Sequence, residues 1–373
     1  MTAAWLAIAL AAAWVAFAYA GYPLALWLLG RVSPRPVQRA AHAPSLSVIV
    51  AVHDGAARLA CKLEETCALA YPGAKEILVA SDASADATDA IARSFAARGV
   101  RLVRLARRGG KEAAQAAAIA AARGEILVFT DVGAEIEPGA LAGLVAPFAD
   151  PRVGCVSSED LVDRDEGEGA YAAYEMAIRR LESRAGSLVG CSGSLFAARR
   201  SLCDPWPAHL ASDFRIALEA ARRGLRAVSE PAARARIAPV RDPRREWARK
   251  VRTVRRGVAV LCAYPDLLAP RRGRVAFALW GHKVARFTAP AALAVLLAAS
   301  AVAATESAAA RALLAGQLAF YALGAASLAS RSLRRATLPR LAGFFLLVNA
   351  SILVAWGHHL AGRRAVAWTP TAR

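Results

Sequence analysis

Ser45–Val52 (SLSVIVAV) runs directly into His53-Asp54-Gly55, and the same arrangement recurs three times further along the chain. Glu76–Ala80 leads into Ser81-Asp82-Ala83-Ser84, Val100–Leu105 into Arg107-Arg108-Gly109-Gly110-Lys111, and Glu125–Thr130 into Asp131. Between these apolar, strand-like runs lie Ala-rich segments with helical spacing. The βαβα order predicts a parallel sheet covered by helices on both faces. In such sheets ligands bind beyond the carboxyl ends of the strands. Acids and a glycine-lysine turn gather on that one edge, which predicts a nucleotide there.

Outward from this core the composition changes. The chain has 373 residues, 57% hydrophobic and 21% charged, with a mean hydropathy of +0.34. That combination predicts a globular domain joined to membrane segments. Thr2–Gly30 is a long apolar run without charge, and a bilayer span needs about 20 residues. A cleavable signal peptide is the rival reading. It fits less well, because the run has no basic leading region and exceeds the usual apolar length of about 7–15 residues. Three further apolar segments, Ala289–Thr305, Ala312–Ser330 and Leu341–Ala361, stand near the C-terminus.

Basic residues orient these segments. Arg31, Arg35 and Arg39 follow the first, and Arg331, Arg334, Arg335 and Arg340 lie between the last two. By the positive-inside rule both stretches are cytoplasmic, which places residues from about 31 to 285 in the cytoplasm of a multi-pass protein of the inner (plasma) membrane. Four crossings would leave the C-terminus outside, yet the tail holds Arg363, Arg364 and Arg373. The last segment is therefore open between a crossing and a re-entrant course.

The balance of 48 Lys+Arg against 29 Asp+Glu gives a net charge of +19 and raises the question of nucleic acid. Much of that charge flanks membrane segments, where anionic lipid attracts it, and no aromatic-rich basic module or zinc finger accompanies it. No nucleic-acid partner is expected. The six cysteines (Cys61, Cys67, Cys155, Cys191, Cys203, Cys262) form no CxxC pair and show no zinc spacing. They read as small core residues.

The domain plan is then a membrane helix at 1–30, a Pro-containing linker at 31–44, and a globular domain at 45–270. An interfacial helix follows at 271–288, then membrane segments at 289–361 and a basic tail at 362–373. The interfacial expectation comes from Val275–Phe287, whose apolar residues are interleaved with His282, Lys283 and Arg286. Within the globular part, Val153–Ser157 is strand-like and Gly167–Arg184 has helical spacing. The small-residue turn Gly190–Ser194 and the basic stretch Arg241–Arg256 follow.

SVIVAVHDG (47–55), EILVASDASADAT (76–88), GGKEAA (109–114), GEILVFTD (124–131), YAAYE (171–175), GCSGSLFAARR (190–200), ASDF (211–214), RKVRTVRRG (249–257) and HKVARFTAP (282–290) stand in that order. In order and spacing the series closely resembles the membrane-embedded family 2 glycosyltransferases, relatives of cellulose, hyaluronan and poly-N-acetylglucosamine synthases. The resemblance covers nearly the whole chain from residue 45. It implies a GT-A fold, a doubly wound mixed sheet, and inverting transfer of a sugar from a nucleotide diphosphate, UDP first among candidates, to a hydroxyl of a glycan or lipid-linked acceptor. A divalent cation, Mg²⁺ or Mn²⁺, and membrane lipid are the further implied partners.

The chemistry explains the residue types. Direct displacement at the anomeric carbon needs a base for the attacking hydroxyl and neutralisation of the leaving diphosphate. The resemblance puts Asp213 in the position of the catalytic base, with Ser212 where many relatives carry a second acid; the alternative is a helix cap. Asp131 matches the first acid of the family's metal-binding Asp-x-Asp, and Gly133 stands where the second would be. Its alternative is a strand-end Asp satisfied by backbone amides. Asp82 matches the acid that meets the base or ribose, although its stretch also reads as a helix-capping sequence. Asp54 and Gly55 stand where relatives carry Asn and Glu, leaving Asp54 to accept from ribose. Lys111 opens a helix after Gly109-Gly110, a site where backbone approaches a ligand and a helix N-terminus attracts phosphate.

Ser192 and Gly193 fall in the turn that relatives place near the acceptor sugar. Arg249 and Arg252 lie where processive synthases carry Gln-x-x-Arg-Trp. With that motif absent they read either as diphosphate ligands or as contacts to lipid headgroups. Its absence favours addition of one sugar to a lipid-linked acceptor over extrusion of a polysaccharide. The replaced acids also admit a different class, a catalytically degenerate relative that only binds nucleotide or a partner. Retention of Asp82, Asp131 and Asp213 together argues against it.

Overall fold

The computed structural model describes residues 2–161, 167–238 and 242–362. Its sheet has eight strands: β1 (Leu46–Val52), β2 (Lys75–Ser81), β3 (Val100–Arg104), β4 (Ile126–Asp131), β5 (Ala134–Ile136), β6 (Val153–Leu161), β7 (Leu195–Arg199) and β8 (Arg226–Ile237), in the order β3-β2-β1-β4-β7-β6-β8-β5. The four strands read from the sequence form the parallel half, with β1 between β2 and β4. Every residue of β1 is buried, as expected of a parallel strand covered on both faces. Residues pointing one way (Val48, Val50, Val128) join Leu59, Leu63 and Leu144. Those pointing the other way (Ile49, Leu127, Phe129) join Ala114, Ala118 and Trp206.

The other half departs from a purely parallel reading. β7 runs antiparallel between β4 and β6, β8 is parallel to β6, and the short β5 closes the edge antiparallel to β8. β7 (LFAAR) and β8 (RAVSEPAARARI) are built largely from Ala and Arg, residues with little intrinsic strand preference. The alternation becomes visible only in place, where Ala233, Ala235 and Ile237 are buried and Arg234 and Arg236 exposed.

Among the described residues four helices are long and apolar enough to cross a membrane: Thr2–Val32, Arg274–Ala304, Ala308–Ala329 and Thr337–Leu360. The segment expected as a separate interfacial helix at 271–288 is instead the beginning of the helix Arg274–Ala304, joined to it by a π-helical turn at Trp280–Val284. Its charges are not turned to an interface. His282 and Arg286 are buried against acids of the helix Gly167–Ala185. The linker is likewise pinned rather than loose: the Arg226 guanidinium donates to the carbonyls of Arg35 and Pro36, and Arg39 pairs with Glu230. Of the cysteines, Cys155, Cys191 and Cys203 are core residues, Cys67 is half-buried, and Cys61 and Cys262 are exposed. The exposed pair lie on helices at 56–68 and 243–263, where position around the helix rather than residue type decides burial. The tail residues 363–373 lie outside the described residues.

Candidate active site

A cavity of about 900 Å³ opens at the carboxyl ends of the parallel strands. Asp54, Lys111, Asp131, Gly193, Asp213, Arg249 and Arg252 all line it, so seven of the sequence-predicted residues meet there.

Asp131 ends β4, and its Oδ1 is 2.6 Å from Lys111 Nζ, which also donates to the Gly193 carbonyl at 3.2 Å. Lys111 occupies the first turn of the helix Lys111–Ala121, after Gly110 at φ 92°, a conformation costly for any other residue. Burial alone would lower the Lys111 ammonium, but Asp131, Glu112 and Asp213 outweigh it and hold it above its ordinary value. The lysine is therefore a fixed positive charge among acids.

Asp213 sits in the first turn of the helix Ser212–Arg222, where its Oδ1 accepts from the Phe214 amide at 2.9 Å. Its Oδ2 lies against Gly193, and a Cβ on residue 193 would come within 2.9 Å of it. Glycine at 193 thus leaves the carboxylate open to the cavity. The helix itself begins after Ala211 without a side-chain cap, so Asp213 does not act as its N-cap.

Two expected contacts fall elsewhere. Asp82 is fully buried and does not line the cavity. Its carboxylate accepts from the amides of Gly109 at 2.7 Å and Gly110 at 3.0 Å, so it anchors the loop that presents Lys111. Ser192 is also fully buried; its hydroxyl donates to Asp160 Oδ1 at 2.6 Å, beside that of Ser194 at 2.9 Å. It shapes the turn while Gly193 and Ser194 face the cavity. Asp54, at φ 46°, accepts from the Ala85 amide at 2.8 Å, and Gly55 is the residue just before the helix Ala56–Ala68. A Cβ at residue 55 would stand 2.4 Å from Val52 Cγ2, so the Glu of relatives has no room here. At residue 133, where the second acid would stand, a Cβ would come within 3.2 Å of Arg58 Nη1. A cation occupies that corner instead.

Several site residues had no sequence signal of their own. Asp160 required β6 to extend beyond Ser157. Glu112 follows Lys111 in the quoted motif, yet its role appears only in space, where it pairs with Arg256 from the helix Pro243–Ala263. Arg249 of that helix pairs with Glu246 at 2.7 Å. Arg252 is lowered from its ordinary value by burial and by its neighbours Arg256 and Arg249.

The far end of the cavity is lined by Tyr19, Phe287, Val348 and Ile352 from the apolar helices, together with Tyr171, Glu175, Arg179, Lys250 and Lys283. Behind it lies an ion cluster. His282 meets Glu182 at 2.7 Å through Nδ1 and Glu175 at 3.1 Å through Nε2, Arg286 pairs with Glu175, and the Tyr22 hydroxyl donates to Glu182 at 2.5 Å. Burial would raise Glu175, but Arg286 and His282 hold it well below the usual carboxylate range.

A doubly wound sheet with a strand-end carboxylate, a lysine cradle and an open aspartate defines a nucleotide-sugar transferase of the GT-A fold. Comparison agrees: residues 47–205 match the family described as glycosyl transferase family 2. The chain is a glycosyltransferase, and its residues 47–205 are similar to family 2. The mannosyltransferase PcManGT from Pyrobaculum calidifontis, solved in complex with GDP-Man and Mn²⁺, superposes with a TM-score of 0.75 at 27% identity, over 96% of this chain and 100% of that one. The glucosyl-3-phosphoglycerate synthase from Mycobacterium tuberculosis, solved with Mn²⁺, UDP and glucosyl-3-phosphoglycerate, gives 0.43 at 18% identity over 62% of this chain and 88% of that one. No protein of curated function matches the chain by sequence.

Proposed function

We propose that the protein is a membrane-embedded, inverting transferase that moves one sugar from a nucleotide diphosphate sugar to a hydroxyl of a lipid-linked acceptor. The observation that carries this reading is the single cavity running from Asp131 and Asp213 to side chains of the apolar helices, Tyr19, Phe287, Val348 and Ile352. A donor held at the strand ends and an acceptor emerging from the membrane meet in that space. The likeness to a mannosyltransferase solved with GDP-Man makes GDP-mannose the first donor to test, ahead of the UDP-sugars.

In this reading the acceptor hydroxyl attacks the anomeric carbon, Asp213 Oδ2 takes its proton, and the nucleotide diphosphate leaves with the bonding electrons. A carboxylate within hydrogen-bond reach suits the base. Lys111, held cationic by its acids, and Arg252 on the facing helix supply positive charge for the leaving group.

No group of three His, Cys, Asp or Glu side chains forms a cage among the described residues. One carboxylate is nevertheless enough where substrate phosphates complete the coordination, the usual arrangement for Mg²⁺. Asp131 fits that role, and a divalent cation there would neutralise charge on the diphosphate. The structural neighbour's Mn²⁺ supports the same assignment.

The test is transfer by purified protein in nanodiscs, supplied with a panel of GDP- and UDP-sugars, a membrane lipid extract, and Mn²⁺ or EDTA. The expected result is one donor converted to a lipid-extractable product of inverted anomeric configuration, with loss of activity in EDTA. A water-soluble product, or retained configuration, would overturn the reading.

A further inference from the structure

The fourth apolar helix, Thr337–Leu360, has the composition of a crossing, and it meets other apolar helices in their halves nearer the catalytic domain: Phe345 and Asn349 meet Tyr19, Phe345 meets Phe320, and Ala342 and Gly343 meet Gly324 and Ser327. Its first half meets the catalytic domain: the Phe344 ring lies 5.2 Å from that of Tyr171 and 5.2 Å from Lys250 Nζ. Its second half meets the same domain again. Ile352 and Ala355 pack with Val254 and Val258, and His359 Nε2 lies 3.9 Å from Cys262 Sγ, while Trp356 Nε1 donates at 2.8 Å to the carbonyl of Phe287, in the first half of the helix Arg274–Ala304.

These pairings advance together, from 250 with 344, through 254 and 258 with 352 and 355, to 262 with 359. The helix therefore runs alongside Pro243–Ala263 in the same direction. Phe344 to His359 spans roughly 22 Å of helix, and Lys250 to Cys262 roughly 18 Å. A segment held alongside a catalytic-domain helix over such a length does not also traverse a hydrocarbon core about 30 Å thick. The opposite end of the bundle agrees. Its apolar cluster joins Ile8, Ala303 and Ala310 with Ala4, Trp5, Leu296, Ala299 and Leu313, and among the described residues none comes from 337–360.

We propose that Thr337–Leu360 lies in the plane of the membrane surface, as a third wall of the active-site cavity, and that the chain crosses the bilayer three times. This rests on the reading above that the other three apolar helices cross. It returns residues 361–373 to the side of the catalytic domain. Arg363, Arg364 and Arg373 then share that side with Arg31, Arg35, Arg39, Arg331, Arg334 and Arg335, so the basic residues no longer conflict with the positive-inside rule. The placement also has a use. The helix backs the one that carries Arg249 and Arg252, and it gives Val348 and Ile352 to the cavity wall, where an acceptor arriving from the lipid would pass.

The experiment is labelling with a membrane-impermeant maleimide in sealed vesicles of known orientation, starting from a chain with Cys61, Cys67 and Cys262 replaced by serine. Single cysteines are introduced as Arg98→Cys in the domain, Glu306→Cys in the loop between the second and third apolar helices, and Ala361→Cys. The expected result is labelling of Ala361→Cys from the same side as Arg98→Cys, with Glu306→Cys reacting only from the other side. Labelling of Ala361→Cys together with Glu306→Cys would overturn the proposal. Labelling of Glu306→Cys with Arg98→Cys would instead show that the crossing helices themselves are misread, and the proposal would fall with them. A fluorescent protein fused after Arg373 gives a second readout that needs no cysteine replacement.

Discussion

The two ends of the cavity are built on opposite principles. At the donor end, Asp54 follows β1, Lys111 opens the helix after β3 and Asp131 ends β4, so position in a strand-turn-helix pattern fixes each one. At the membrane end, Tyr19, Glu175, Lys250, Lys283 and Val348 come from five separate helices and meet only when these pack. The first end resembles a reaction centre with acids and a fixed cation. The second is a basic and aromatic mouth against an ion cluster that clamps the Arg274–Ala304 helix to the catalytic domain. Under the proposed function, chemistry and acceptor delivery fall to different sets of side chains, which mutation separates.

The largest effect is expected at the donor end. Asp213→Asn should lower kcat by about 10²–10⁴-fold, the usual contribution of a general base, while leaving the fold intact because the amide oxygen can still accept from the Phe214 amide. At the membrane end, Glu175→Gln leaves Arg286 and His282 facing a neutral amide. Breaking a buried pair in this way costs about 3–5 kcal/mol, read as a lower midpoint of thermal unfolding in detergent.

The pH dependence has a definite sign. Because Glu175 is held below its ordinary value of 4.5, its contribution is present above that value and is lost as pH falls through the lower folded one. Wild type and Glu175→Gln should therefore differ at neutral pH and converge in strong acid. A difference that grew on acidification would contradict the assignment.

Lys111→Met removes a charged hydrogen-bonding group, worth about 1.5–3 kcal/mol, and should cut kcat/KM for the donor by roughly 10–100-fold. The smallest effect is expected for Lys250→Met. Its ammonium lies 4.6 Å from the Tyr171 ring centre, and cation–π contacts contribute about 0.5–2 kcal/mol. The change should raise KM for the lipid acceptor several-fold and leave donor KM alone. A shift in donor KM instead would erase the distinction between the two ends.

That distinction also explains what the sequence could reveal. The parallel half of the sheet is legible because each strand is a continuous apolar run that stops at a polar cluster. Lys111 and Asp131 can then be placed by register alone. β8 is not legible, since Ala233 and Ala235 fill core positions that branched residues usually mark. Asp82 illustrates a subtler limit: sequence places it correctly at the end of β2, but only the fold shows its carboxylate spent on the amides of Gly109 and Gly110. His282 and Arg286 were legible as charges within an apolar segment. Their partners Glu175 and Glu182 lie about a hundred residues away, so the same pattern reads as an interfacial helix when seen alone.

The most direct test of the account sets two measurements on one variant side by side: donor binding by calorimetry and sugar transfer by product analysis, for wild type and Asp213→Asn. The account predicts nearly unchanged affinity for the nucleotide sugar and transfer reduced by at least about 100-fold. Equal transfer by both proteins, or a wild type that binds nucleotide but turns over no donor with lipid acceptor present, would contradict it.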